Sequence, residues 1–406
     1  MIAHIVRGMA YVTVEYDDMT PCLSTIHALL TINGEGVSED EIYEGDRFLL
    51  TLNNGATWVV YSDSVITLTF KAGNMNTAKK LIATEASDAV LQAALIPYKE
   101  TDDQDMFDEA LALLDEHRGV YATGASLKVC AIRSFPHKSK YEFRWDTSGS
   151  GTLLHYALPH HQDIIKKVDR TGIYLTSVTK GLMEMVVGDK WQLKEKDMPL
   201  PEFIQPDDQL TSEQREWVEY HLEKEIIAPL DDTTGSSVYF GGKHMMAYAQ
   251  LCLIATEMGR DDLVEECLDK VEGSMAEYVA GTNDNRLVVD EVWGGIVGET
   301  GYTDKAADFF NTLYNDHHFH FGYLVNAGAV LGLLRPSWLT ANEGLNKEFI
   351  DSLIRDVNSP NDDDDFFPMF RSFDWFCGHS WARGLLFSGD GKDQASMLLF
   401  IFSLGL

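Results

Sequence analysis

The spacing of apolar residues changes once along this chain, and that change limits what it can fold into. Up to residue 190 the apolar positions come in short alternating runs: YVTVEY at 11–16, DRFLLTL at 46–52, ATWVVYS at 56–62, SVITLTF at 64–70, LKVCAIR at 127–133 and YEFRWDT at 141–147. A period of two puts every second side chain on the same face of a sheet, so each run predicts a strand. Asn54-Gly55 between two of the runs predicts a type I′ hairpin, since both central residues of that turn need positive φ. Helical stretches are expected around 84–95 and 105–115, interrupting an antiparallel sheet domain.

From 215 onward the spacing becomes helical, over 215–228, 243–258, 261–277, 303–313, 322–335 and 344–355, with Gly259 and Gly281 just beyond two predicted helix ends. The intervening 191–214 is polar, holds three prolines and reads as a connecting segment. A chain of 406 residues, 45% of them hydrophobic, can bury more than one core. The expected organisation is a sheet domain over 1–190, a connecting region over 191–214 and a domain of helical hairpins over 215–406.

Charge restricts the partners. Thirty-two Lys and Arg stand against 64 Asp and Glu, a formal net charge of -32, which repels phosphate backbones and anionic lipid surfaces. Neither nucleic acid nor a membrane is an expected partner, and no apolar run reaches bilayer-spanning length. Residues 1–12 lack the continuous apolar stretch of a secretory signal, which leaves export open. The five cysteines are scattered with no CxxC pair, and most of them are expected as buried thiols. The acidic run NDDDD at 361–365 is expected as a solvated loop, since it lacks the alternating ligands and turn glycine of a calcium loop.

Two segments concentrate chemistry. YNDHHFHFGY at 314–323 packs one carboxylate, three histidines and four aromatic rings into ten residues, and RSFDWFCGHSWARGL follows at 371–385. Acids, neutral hydrogen-bonding groups and flat apolar faces together suit an uncharged polyhydroxylated ligand such as a sugar chain. Asp316, near Phe319, Phe321 and Tyr323, could stay protonated and act as an acid, or could cap a helix. His317, His318 and His320 could be structural, could contact sugar hydroxyls, or could bind zinc, although HHxH lacks the spacing of a helical zinc motif. Trp293, Trp381 and Trp375 could stack on sugar rings, with Asp290, Asp374 and His379 on hydroxyls; core packing is the competing role. Glycines at 294, 295, 298, 378 and 384 imply close backbone approach around them.

These segments match a known family in order. VRGMAYVT at 6–13, ALPHHQ at 157–162, KGLMEMVVGDKW at 180–191, YFGGK at 239–243, WGGIV at 293–297, YNDHHFHFGY and DWFCGHSWARGL at 374–385 resemble the family 81 glycoside hydrolases, endo-1,3-β-glucanases. The resemblance implies an α+β multidomain fold, an N-terminal antiparallel β-sandwich followed by a helical (α/α)6 toroid. It implies inverting cleavage of internal β-1,3 bonds in laminarin-like or cell-wall glucan, with neither cofactor nor metal. Asp316 matches the family's general acid. Asp290, Trp293, His320, Tyr323, Asp374, His379 and Trp381 fall in segments that line or support the substrate cleft.

One departure bears on activity. The family's general base is a glutamate in a segment patterned ESxSE after GDGKDQ, whereas residues 389–406 read GDGKDQASMLLFIFSLGL, with Ala395 and Ser396 where that segment should start. The tail is similar to what an altered reading frame would append, and VRGMAYVT stands almost at residue 1. The resemblance therefore leads us to expect a member shortened at both ends, its toroid incomplete and its hydrolysis impaired. The alternative expectation is a non-catalytic glucan-binding protein or inactive paralogue. An extracellular location fits the full-length parent.

Overall fold

The computed structural model describes residues 1–73, 79–131, 139–195, 210–230, 233–359, 361 and 363–385. The chain divides into two compact units, Met1–Leu200 and Pro201–Leu406. Each is built around its own cores.

The first unit is β-rich. Its largest sheet has nine antiparallel strands: β1 (Ile2–His4), β2 (Val12–Glu15), β3 (Cys22–Thr25), β4 (Leu29–Ile32), β5 (Glu35–Gly36), β6 (Ile42–Leu52), β7 (Thr57–Lys71), β8 (Lys79–Ala83) and β9 (Val90–Leu95). They run in the order β1-β2-β9-β7-β6-β4-β5, and β8 pairs with β7 and carries β3 on its other edge. Helix α1 (Gln104–His117) follows, then β10 (Tyr121–Ala131), β11 (Ser139–Ser148), β12 (Leu154–Ala157), the short α2 (Pro159–Gln162), β13 (Ile165–Lys166), β14 (Asp169–Ser177), β15 (Gly181–Val187) and β16 (Lys190–Glu195). These strands form a four-stranded sheet, β10-β11-β16-β13, and a three-stranded sheet, β12-β15-β14.

Strand β7 shows why the sequence reads apolar without a break at 58–61. Val60 packs into a core with Phe48, Leu50 and Leu68 on one face of the large sheet, and Trp58 borders it. Val59 and Tyr61 face the other way, against Phe107, Ala110 and Leu114 of α1 and Tyr156 of β12. A strand covered on both faces has no polar side to display. The predicted runs at 56–62 and 64–70 are accordingly one continuous strand.

Two local expectations in this unit are overturned. Residues 90–95, expected as part of a helix, form β9, hydrogen-bonded between β2 and β7. VLQAAL is short and lies between two sheet partners, so tertiary pairing overrides its helical spacing. The Asn54-Gly55 turn is present but not as type I′. Only Gly55 has positive φ, at 79°, with Gly55 N–H donating to Leu52 O (3.0 Å) and Leu52 N–H to Ala56 O (2.9 Å). That is a three-residue loop closed by a left-handed glycine.

The second unit is helical: α3 (Ser212–Ile227), α4 (Val238–Glu257), α5 (Asp261–Ala280), a β17–β18 hairpin (Leu287–Asp290, Gly295–Gly298), α6 (His317–Leu334), α7 (Ser337–Thr340), α8 (Leu345–Asn358) and a β19–β20 hairpin (Phe373–Asp374, His379–Ser380). Thr211 and Gln214 form a reciprocal capping box that starts α3 three residues earlier than the apolar spacing suggests. Gly259 and Gly281 both adopt positive φ just past helix ends, as expected. Helix α6 is apolar on all sides, with fifteen buried residues, and packs against α4, α5, α7 and α8.

Residues 303–313 are not an α-helix. Ala307–Leu313 is a 3-10 segment in which Asp308, Phe309 and Phe310 have φ of 48°, 58° and 65°. Apolar spacing cannot report the hand of a turn, and here the chain coils left. Cys252 and Cys267, expected as thiols, form a disulfide between α4 and α5 with Cα atoms 5.6 Å apart. In the acidic run, Asp363 and Asp365 are exposed as expected. Asp364 turns inward instead: it pairs with Arg355, at 2.6 Å, and accepts from Phe366 and Phe367 N–H. Those bonds, Phe367's foremost, hold its pKa down at about 2.

Candidate functional site

The strained segment 308–316 leads into the site. Five of its nine residues, Asp308, Phe309, Phe310, Tyr314 and Asp316, have positive φ, a region L-residues seldom occupy, at a cost of about 1–2 kcal/mol each. Such outliers persist where the surroundings fix them. Here Asp308 is anchored at the N-terminus of α4: it accepts from Ser237 Oγ (2.7 Å) and Val238 N–H (2.9 Å).

Asp316 occupies the N-cap position of α6 with φ 55° and ψ 24°, yet its side chain does not cap the helix. Its backbone N–H donates to Ala382 O (2.7 Å), and its carboxylate accepts from Asn315 Nδ2 (3.1 Å). Tyr323 lies two turns further along α6, its phenol pushed up to about 12 by burial, by a hydrogen bond with Tyr239 and by the charge of Asp316.

Two hairpins flank this corner. In β19–β20, Asp374 pairs with His379. Its carboxylate accepts from Cys377 N–H and from Trp381 Nε1, both at 2.9 Å, which fixes the indole. The His379 ring lies edge-on to Trp381 at 4.8 Å. The strand then runs past Asp316: Leu385 N–H donates to Leu313 O (2.8 Å), and a Cβ on Gly384 would stand 2.2 Å from that same oxygen. In β17–β18, Trp293 is 54% exposed at the tip, and its carbonyl accepts from Arg371 Nη2 (3.0 Å). Asp290 accepts from Tyr314 Oη (2.7 Å). Burial, and then that carboxylate, push the Tyr314 phenol up, while the Arg371 guanidinium stacks 4.3 Å from the ring centre. Gly295 is required beneath, because a Cβ there would lie 2.4 Å from Tyr314 Cε1.

The histidines divide into different roles. His317 is buried with Nδ1 2.6 Å from Asp356 Oδ2 and Nε2 2.8 Å from Asn311 O, so both nitrogens face acceptors. His320 is fully buried, its Nδ1 3.0 Å from Asn311 Nδ2 and 3.5 Å from Asp308 Oδ2. It sits beneath the corner, tying α6 to the left-handed turn. His318 is 1% exposed, with neither ring nitrogen hydrogen-bonded. Burial, aided by His317 and His320, lowers its pKa to about 3. Among the described residues no three His, Cys, Asp or Glu side chains converge as a metal cage, and no helix is long and apolar enough to cross a membrane.

Sequence reasoning missed Asp356, Arg371, Asn311 and Asp308, which hold the corner together. Asp356 carried a signal: it lies on the stripe of α8 that buries Ile350, Leu353 and Val357, where a carboxylate needs partners. It finds Ile296 N–H (2.9 Å) and His317. Residues 386–406, including the segment where a general base is expected, lie outside the described residues.

Comparison with known proteins agrees with this architecture. The glycosyl hydrolase family 81 N-terminal domain matches residues 1–206 and the family 81 C-terminal domain residues 209–401. A glucan endo-1,3-beta-D-glucosidase of Arthroderma benhamiae is 31% identical over 97% of this chain and 43% of its own length. Proteins of the same name from Glycine max (30% identical) and, as glucan endo-1,3-beta-D-glucosidase 2, from Saccharomyces cerevisiae (28%) match 97% of the chain and 55% and 50% of their own lengths. The chain thus spans about half the length of these relatives. A solved family 81 structure from Clostridium thermocellum superposes with a TM-score of 0.71 at 18% identity, over 94% of this chain and 50% of that one. With both family domains matched in order and the fold shared, the chain belongs to glycosyl hydrolase family 81.

Proposed function

We propose that the helical unit carries the β-1,3-glucan site of a family 81 glycoside hydrolase, with Asp316 as the general acid. The observation that carries this reading is the state of Asp316: at a helix N-terminus, where a carboxylate ordinarily caps, its side chain caps nothing. Its backbone is instead pinned to Ala382, next to the Trp381 indole that Asp374 holds. An acid beside an oriented aromatic face suits proton donation to a glycosidic oxygen whose sugar stacks on that face. Trp293, exposed on its hairpin, offers a second stacking surface, and Asp290, Tyr323 and His379 offer groups for hydroxyls. His320 acts from below as a positioning residue. At the larger scale, the sheets of the first unit are the family's β-sandwich and the helices of the second are part of its (α/α)6 toroid, joined through the segment around 191–214.

Inverting hydrolysis needs a second carboxylate about 6.5–9.5 Å from the acid to activate water. Ala395 and Ser396 stand where the family resemblance places the start of the base-bearing ESxSE segment; on this reading Asp316 can protonate the leaving oxygen while water lacks the family's base, and turnover is very low. The same observation favours the second reading, a protein that binds β-1,3-glucan without cleaving it. Affinity electrophoresis through laminarin tests both. Retardation of the chain that Trp381→Ala abolishes is expected; migration unaffected by laminarin would overturn the site.

A further inference from the structure

The first unit contains a cavity of about 520 Å³ lined by none of the residues of the proposed glucan site. It lies on the β4–β6–β7–β9 face and is bordered by residues of β3 and β8. Its floor is Leu50 and Leu52 of β6, Trp58 and Val60 of β7, and Leu95 of β9. Cross-strand pairing puts Leu50 opposite Trp58 and Trp58 opposite Leu95, one continuous apolar row. Leu81 of β8 forms the roof, and Thr25, His27, Lys79 and Lys80 stand at the mouth. Lys79 shares a strand face with Leu81 by the two-residue period, so its stem runs along the apolar wall.

Three observations select a ligand. The volume lies in the range of small-molecule sites. The lining has too few polar groups for sugar hydroxyls, which would be left unpaired on burial. In a chain of net charge -32, the lining residues include Lys79 and Lys80 and no Asp or Glu, with Lys79 on the strand face of Leu81.

We propose that this cavity binds a single-chain anionic amphiphile, a medium-chain fatty acid, with its tail on the Leu50–Trp58–Leu95 row and its carboxylate at Lys79. None of the cavity's lining residues belongs to the proposed glucan site.

Titration of the intact chain with dansyl-labelled undecanoate tests it. Saturable one-to-one fluorescence enhancement is expected, reversed by dodecanoate. Affinity should rise about fourfold per methylene from octanoate to dodecanoate. Lys79→Glu, a change at the mouth, should weaken binding about tenfold, the size of one charge-assisted contact. Ala93→Trp, which fills the cavity, should abolish it, and Asp316→Asn should leave it unchanged. Circular dichroism melts identify variants that fail to fold, and Lys79→Glu keeps the proposal testable if Ala93→Trp is one of them. Absence of saturable binding, dodecanol competing as well as dodecanoate, undiminished binding by folded Lys79→Glu, or self-association that covers Trp58 would each overturn the proposal.

Discussion

Asp316 stands at the start of α6 without capping it, its carboxylate accepting from Asn315 and its backbone N–H donating to Ala382. The turn that presents it is left-handed, and the buried pair of His317 and Asp356 stands behind it. Breaking a buried, hydrogen-bonded ion pair by removing one partner costs about 3 kcal/mol or more. Asp356→Ala should therefore lower the unfolding free energy of the helical unit by about 3 kcal/mol in urea titration; a change below about 1 kcal/mol, the level of an exposed pair, would contradict this role. His318 makes stability depend on pH. Its folded-state pKa is about 3, below the ordinary value near 6.5. Above about pH 6.5 neither state is protonated there and the residue contributes no pH dependence. As pH falls below that value the unfolded chain takes up a proton that the native state refuses, so stability drops by up to about 1.4 kcal/mol per pH unit until the folded pKa is reached. His318→Gln should flatten the fall measured between about pH 6.5 and pH 4; equal slopes would rule the assignment out. The residues proposed to carry chemistry, Asp316 and Trp381, were legible because they crowd into two short segments. Asp308, Asn311 and Arg371 were not, because their importance lies in partners distant in sequence.

The elements place these residues through hairpins and helix ends more than through regular helix packing. The β19–β20 hairpin delivers Trp381 and then lies against 313–316, a contact that only a glycine at 384 allows. Close approach by the glycines was readable; what they approach was not, since Leu313 and Gly384 are joined only in the fold. Helices α4 and α5 illustrate a different limit. Their apolar spacing was clear, but the Cys252–Cys267 link depends on their mutual rotation, which spacing does not report. A cross-link closing a loop of 15 residues stabilises by about 3 kcal/mol. Reduction should lower the denaturant midpoint of the helical unit accordingly, and alkylation without reductant should leave this pair unmodified. Labelling of all five cysteines in the native, unreduced protein would contradict the link. The misassigned β9 and the left-handed 308–310 turn share one cause: short apolar runs take the conformation their neighbours impose.

At the scale of the molecule, a β-rich unit and a helical unit each bury their own cores. The two-part organisation was evident from the change in period. The central claim is the proposed role of Asp316 as the acid, in a chain that has Ala395 and Ser396 where the family resemblance places the start of the base-bearing segment. A small anionic nucleophile can take the place of activated water: azide attacks the anomeric carbon, the glycosidic bond breaks, and Asp316 gives its proton to the departing oxygen. The most direct measurement is cleavage of laminarin oligosaccharides with and without azide, in the chain as it stands and in Asp316→Asn. The account predicts almost no cleavage in water, azide-dependent release of an α-glucosyl azide by the unaltered chain, and loss of that release in Asp316→Asn with glucan binding retained. Brisk hydrolysis without azide, or azide-dependent cleavage that survives Asp316→Asn, would contradict it.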